Sequence, residues 1–162
     1  MADNDRRERG EAITTGMWGQ PPQGNDINQE MIDITVEHLF GDIWSRPGLG
    51  LRDRSMLTVA TLVVTGKEAQ LKTHLKGALA NGLTRDEIKE MMIHLAHYGG
   101  WPCAMTGLTI AKAVFDEADA RAERAPGTPV SGGKSHVRLA QKDRQVVCRP
   151  VDRSPGLGLP RS

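Results

Sequence analysis

The chain predicts an all-α fold, a compact bundle of about five to six helices, and three observations lead there. Apolar residues recur at helical spacing from Asn28 to Phe115. Cap and stop signals (Gly66, Gly82, Thr84 with Glu87, Gly99-Gly100) separate these runs by short intervals, and no run has the partners that a sheet needs. From Arg121 to Ser162 both the apolar face and the caps are missing, so that stretch is expected to be a tail outside the bundle.

Taken in order, residues 1–27 read as a short charged helix from Asp3 to Ala12, then a loop with Pro21-Pro22 and Gly24. From Asn28, the residues Met31, Ile32, Ile34, Val36, Leu39, Phe40 and Ile43 can share one broad side of a helix. That helix should stop near Trp44, because Pro47 disfavours helical geometry at Arg46 and two glycines, Gly48 and Gly50, follow. Arg52 to Thr65 is apolar on almost every side, which places it at a bundle centre; its β-branched residues would also suit a strand, but its length favours a helix. Leu71, Leu75, Ala78 and Leu79 form a stripe on a helix over 67–81, with Gly82 as the residue that ends it in a left-handed conformation. Thr84 and Glu87 form a capping box for the next helix, whose core face is Ile88, Met91, Met92 and Leu95. Pro102, as first helical residue, opens the last helix through about Ala120, with Met105, Leu108, Ala111 and Phe115 inward.

The chain's 162 residues suit one helical domain over 1–120 followed by a tail over 121–162. Its two cysteines, Cys103 and Cys148, lie far apart, so neither a disulfide framework nor a zinc ribbon is expected, and a reducing cytoplasm suits it. The charged start MADNDRRERGE is not a secretory leader, and no apolar run approaches the roughly 18 residues that span a bilayer. The near-neutral total divides into net −5 over 1–120 and net +6 over the Pro/Gly-rich tail. That tail cannot bury enough surface to order itself; it is read as a solvated extension rather than a nucleic-acid-binding arm. Gly127 to Ser135, GTPVSGGKS, imitates a phosphate loop but has the wrong spacing and no strand before it.

Proton chemistry is sought on the two helices that carry His74, His94 and His97, since rings on antiparallel neighbours can meet in one cleft. His74 flanks the Leu71/Leu75/Ala78 stripe, half in and half out, either a proton donor or acceptor or a surface-edge histidine with a backbone partner. His94 and His97 point further from the core. No metal site is expected, because neither HxxxH nor HExxH spacing is present. Arg46, in a loop stiffened by Pro47 and held by Trp44 and Leu49, is either a fork for a carboxylate or a surface arginine. Glu68 is an acid, a base or a partner of the helix dipole, and Cys103 is read as packing.

Trp44-Ser45-Arg46-Pro47-Gly48-Leu49, Arg54-Ser55, Leu71-Lys72-Thr73-His74-Leu75, Ala78, Asn81-Gly82-Leu83-Thr84, Glu87-Ile88 and Tyr98-Gly99-Gly100-Trp101-Pro102 stand in an order that resembles the carboxymuconolactone decarboxylase family, from about Arg6 to Ala118. The resemblance implies the helical fold shared with the alkylhydroperoxidase-D-like superfamily and a homotrimer or homohexamer. It implies a cofactor-independent decarboxylase of a carboxylated unsaturated lactone of the 4-carboxymuconolactone type, from aromatic-compound breakdown by the β-ketoadipate route. It implies catalysis by His74, His94 and Tyr98, and substrate contacts from Arg46, Trp44 and Gln70. The peroxidase branch has a C-x-x-C pair where Lys67 and Gln70 stand here, so disulfide-based peroxide chemistry is not expected. Decarboxylases of the family often carry a glutamate at the place of Gln70, and an amide cannot shuttle a proton. A non-catalytic small-ligand-binding assembly of the same fold, or an enzyme for another lactone or oxo-acid, is the alternative.

Overall fold

The computed structural model describes residues 2–124, and every regular element among them is helical. These elements are α1 (Ala2–Trp18), α2 (Gln29–Ile34), a π-helical segment (Thr35–Trp44), α3 (Leu51–Val64), α4 (Glu68–Ala80), α5 (Arg85–Gly99) and α6 (Trp101–Arg124). The all-α expectation holds. The phosphate-loop imitation, Cys148 and all of the tail beyond Arg124 lie outside the described residues.

Helices α3 to α6 enclose the main core, where Val59, Val63, Leu71, Leu75, Ala78, Ile88, Met92, Ala111, Val114 and Phe115 meet. Leu75, Ile88 and Met92 are fully buried, so cutting any one of them to Ala is worth about 2–5 kcal/mol. The capping box forms as expected: the Glu87 amide donates to Thr84 Oγ1 at 3.1 Å and the Thr84 amide donates to Glu87 Oε2 at 2.9 Å. Gly82 has φ +92°, the left-handed turn that a C′ glycine takes. The buried Ser55 hydroxyl accepts from Asn81 Nδ2 at 2.9 Å, which ties α3 to the end of α4.

A second, smaller cluster joins Met17 of α1 to Phe40 and Trp44 of the π segment. Two glycines let these helices touch backbone to backbone. A Cβ on Gly10 would lie 1.9 Å from the Val36 carbonyl oxygen, and one on Gly41 would lie 2.3 Å from that of Arg6. Arg7 bonds Glu11, Asp33 and Glu37 at 3.0 to 3.1 Å, linking α1 to α2 and the π segment.

Several expectations need correction. Helix α1 runs to Trp18 instead of ending at Ala12, because Ile13, Thr14 and Met17 face the π segment and the Gly19 turn, φ +84°, comes only after them. The broad apolar side expected after Asn28 narrows to Val36, Phe40, Gly41 and Trp44. The i→i+5 winding advances each residue less than an α-helix does, and Met31 and Ile34 are left exposed. Helix α3 is not enclosed on all sides, for Leu57 and Val64 are exposed. Trp101, not Pro102, is the first residue of α6, which continues to Arg124. Its inward residues are Ala104, Gly107, Ala111, Val114 and Phe115, with Leu108 packed against the core as expected, and Met105 points out, because Gly107 must pass Met92 with no Cβ between them.

Gly10→Ala should destabilise the fold by roughly 1–3 kcal/mol through overpacking. Gly16→Ala on the same helix meets nothing within 4 Å and should stabilise it by about 0.5–1 kcal/mol. Urea melts of both variants check the pair, and the opposite signs separate packing from helix propensity. On α6, Lys72 and Lys76 hold the Glu117 carboxyl down at about 2 from an ordinary 4.5. Its contribution is therefore complete above pH 4.5 and lost as pH falls through about 2; the stability gap between wild type and Glu117→Gln should close across that window in acid denaturation.

Candidate active site

His74 lies on the flank of α4 that faces α1 and the π segment. Its neighbour one turn on, Gly77, clears the way: a Cβ there would lie 2.5 Å from Met17 Cε and 3.1 Å from Trp18 Nε1. Trp18 Nε1–H donates to the Thr73 carbonyl at 3.1 Å, so α1 is latched to the residue before His74. The Trp18 ring stands edge-on to the imidazole at 5.6 Å and to Phe40 at 5.5 Å, and Trp44 lies 6.4 Å from the imidazole on another side. The histidine is half-buried within these aromatic walls. Its Nδ1 is sealed from solvent with no hydrogen-bond partner, and burial pushes its pKa below the ordinary 6.5. A neutral imidazole results at neutral pH, able to donate from one nitrogen and accept at the other.

Arg46 follows the end of the π segment. The Arg46 amide donates to the Ile43 carbonyl at 3.3 Å, and Ser45 Oγ to that of Gly41 at 2.6 Å, closing the last turn. Arg54, one turn into α3, braces the loop: its Nη2 donates to the Arg46 carbonyl at 3.1 Å and its Nε to that of Leu49 at 3.2 Å. The Arg46 side chain is thereby left exposed on a fixed backbone. Two residues from Trp44, its Cα lies no more than about 7.6 Å from that of the tryptophan that touches His74. Arg54 stood out only as part of a family pattern; its bracing role depends on a loop fold that spacing does not reveal.

The other candidates lie elsewhere. His94 and Tyr98 stack at 4.7 Å on an exposed side of α5, and His94 lines an open cavity of about 320 Å³ with Met56, Glu87, Glu90 and Met91. His97 bonds the Ile93 carbonyl through Nδ1 at 3.0 Å and meets Trp101 edge-on at 6.2 Å. The three histidines thus do not share a cleft within one protomer. They point from different sides of their helices, because α4 and α5 each pack on α3 and α6 rather than face to face, an arrangement that helical spacing alone leaves undetermined. Gln70 is exposed one turn before His74. Glu68 and Lys67 line a separate cavity of about 180 Å³ with Cys103 and Thr106, between the beginnings of α4 and α6. Neither Arg46 nor His74 lines either cavity. Among the described residues no group of three His, Cys, Asp or Glu is placed to hold a metal ion. Trp18 is the neighbour of His74 that sequence reading missed, since the first helix was expected to end before it.

Residues 29–113 match the pattern that defines the carboxymuconolactone decarboxylase family, a span that includes Arg46, His74, His94 and Tyr98 and leaves out α1. The chain is 33% identical over 123 residues to 4-carboxymuconolactone decarboxylase of Acinetobacter baylyi, covering 72% of this chain and 92% of that protein. It is 32% identical over 85 residues to nitrosuccinic acid decarboxylase of Metarhizium robertsii, 52% of this chain and 59% of that one. An uncharacterised 15.0 kDa protein of Paracoccus denitrificans is 36% identical over 86 residues, 52% of this chain and 64% of its own length. By the family pattern and by these identities, the chain belongs to the carboxymuconolactone decarboxylase family.

Proposed function

We propose that the protein is a cofactor-independent decarboxylase of a carboxylated unsaturated lactone of the 4-carboxymuconolactone type, acting in the cytoplasm. The observation that carries this reading is the half-buried His74, held neutral by burial between Trp18 and Trp44, with Arg46 two residues from Trp44. When the C–C bond to the carboxylate breaks, CO₂ leaves and the electron pair passes into the lactone, where it becomes a dienolate oxyanion. An acid then returns a proton to carbon. The substrate is its own electron sink, so the protein has to orient the carboxylate, hold the oxyanion and supply the proton. Arg46 orients the carboxylate by its planar fork. His74 donates to the oxyanion, and one such donor is typically worth about 2.7–4 kcal/mol.

A second reading, a decarboxylase for a different acid, is favoured by the Metarhizium relative's name and by Gln70 in the place where a glutamate is expected. Loss of CO₂ beside a nitro group likewise leaves an oxyanion, a nitronate, so the same hydrogen-bond donor serves either substrate.

Assembly into a homotrimer or homohexamer is part of the proposal, and the exposed Leu57, Val64, Ile93, Tyr98, Trp101 and Met105 support it. It would also let His94 and Tyr98 of one protomer approach His74 of another. No described helix is long and apolar enough to cross a membrane. Sedimentation velocity should give three or six times the 17.7 kDa chain mass, and a monomer at micromolar concentration would overturn this part.

Lactone absorbance and CO₂ release test the reaction. His74→Ala should lower kcat by about 10²–10⁴-fold, and Arg46→Ala should mainly raise KM. A wild-type protein inert toward carboxylated lactones and nitro acids alike would replace the enzyme with a small-ligand-binding assembly.

A further inference from the structure

We propose that Trp18 is a positioning residue that presents His74 as a neutral imidazole whose single N–H lies on Nε2, the nitrogen left open to a ligand. The catalytic meaning of this placement rests on the reading above; the placement itself does not.

Trp18 is fixed both by the backbone that follows it and by its indole. The Gly19 amide closes α1 onto the Thr15 carbonyl at 2.7 Å just after it, and the indole N–H is committed to the Thr73 carbonyl. Having only one N–H, the indole has nothing left to offer Nδ1. It contributes an apolar edge instead, and with Trp44 it walls the ring. Nδ1 is consequently sealed with no partner, whereas Nε2 is not enclosed. A sealed N–H without an acceptor is costlier than a sealed lone pair, so the proton moves to Nε2. The imidazolium would require an N–H on both nitrogens, and the same enclosure disfavours it.

Among the described residues no charge competes with this effect. The groups facing the ring from α1 and the π segment are the uncharged Trp18 and Trp44, its neighbour one turn back on α4 is Gln70, and burial alone lowers its pKa. Gln70 thus takes on a meaning besides a missing acid: a carboxylate there would favour the imidazolium, and an amide leaves the neutral form alone. The closure belongs to the first helix, outside the segment that defines the family.

Long-range ¹H–¹⁵N spectra of the full chain at pH 6, with the His74 signals assigned by their loss in His74→Gln, test the proposal. An ordinary histidine there is about three-quarters protonated. Wild-type His74 should be a single neutral Nε2–H tautomer. Trp18→Ala should turn it into an imidazolium or an averaged mixture, and Trp18→Phe, which keeps a smaller aromatic wall and loses the bond to Thr73, should retain most of the neutral tautomer. Turnover should fall at least tenfold in kcat in Trp18→Ala, with KM moving less, and recover in part in Trp18→Phe. Wild-type His74 found as the Nδ1–H tautomer or as an imidazolium overturns the proposal, as does a Trp18→Ala spectrum identical to wild type. If Trp18→Ala does not fold, Gly77→Ala, whose Cβ would meet Met17 Cε at 2.5 Å and Trp18 Nε1 at 3.1 Å, pushes this end of α1 off α4, stretches the indole's bond to Thr73 and takes its place in the comparison. A wild type without turnover but with the neutral Nε2–H tautomer refutes the decarboxylase reading and leaves the role of Trp18 standing.

Discussion

The backbone contact between α1 and the π segment is the constraint on which the site depends. Gly10 and Gly41 let carbonyl oxygens of Val36 and Arg6 occupy the space where side chains would otherwise stand, so the two helices approach more closely than side-chain packing permits. That approach is what carries the end of α1 over α4. Trp18 then reaches Thr73, and Phe40 and Trp44 complete an aromatic wall around one imidazole. A larger residue at either glycine would move the wall as well as the helix, so stability and the environment of His74 are linked through a contact remote from both.

The π winding contributes to the same end. Wider than an α-helix, it brings Val36, Phe40 and Trp44 inward together and finishes at Trp44, two residues before Arg46. Where the helix stops therefore sets both the aromatic neighbour of His74 and the start of the arginine loop. Arg54 then holds that loop by its carbonyls instead of by the Arg46 side chain, which leaves a guanidinium free on a rigid base. Such a base would lower the ordering cost of the carboxylate clamp proposed for Arg46.

What could be read from the residues follows from which interactions are local. The capping box at Thr84, the left-handed Gly82 and the α4 stripe each depend on neighbours a few positions away, and each forms as spacing predicts. His74 is likewise found on the flank of its stripe. The length of α1, the π register and the outward turn of Met105 depend instead on glycine contacts with distant segments, which no periodicity encodes. The same limit explains the histidines. Wheel positions of His74, His94 and His97 follow from spacing, but whether the rings converge is decided by which helices α4 and α5 pack on; both pack on α3 and α6 rather than on each other, and within a protomer the rings stay apart.

In the proposed reaction, a neutral histidine changes which step the protein assists. An imidazolium would be a stronger donor, but creating one in a sealed pocket requires an N–H that nothing accepts. A neutral Nε2–H has a weaker pull and needs no reorganisation as the oxyanion grows, so its contribution comes from being in place before the charge develops. The proton that finally reaches carbon must then come from another group or from water, because a neutral imidazole that gives up its N–H would become an imidazolate. Departure of CO₂, with its bonding pair left in the dienolate, and reprotonation are therefore separate tasks for separate groups. An amide at Gln70 is compatible with the first and cannot perform the second.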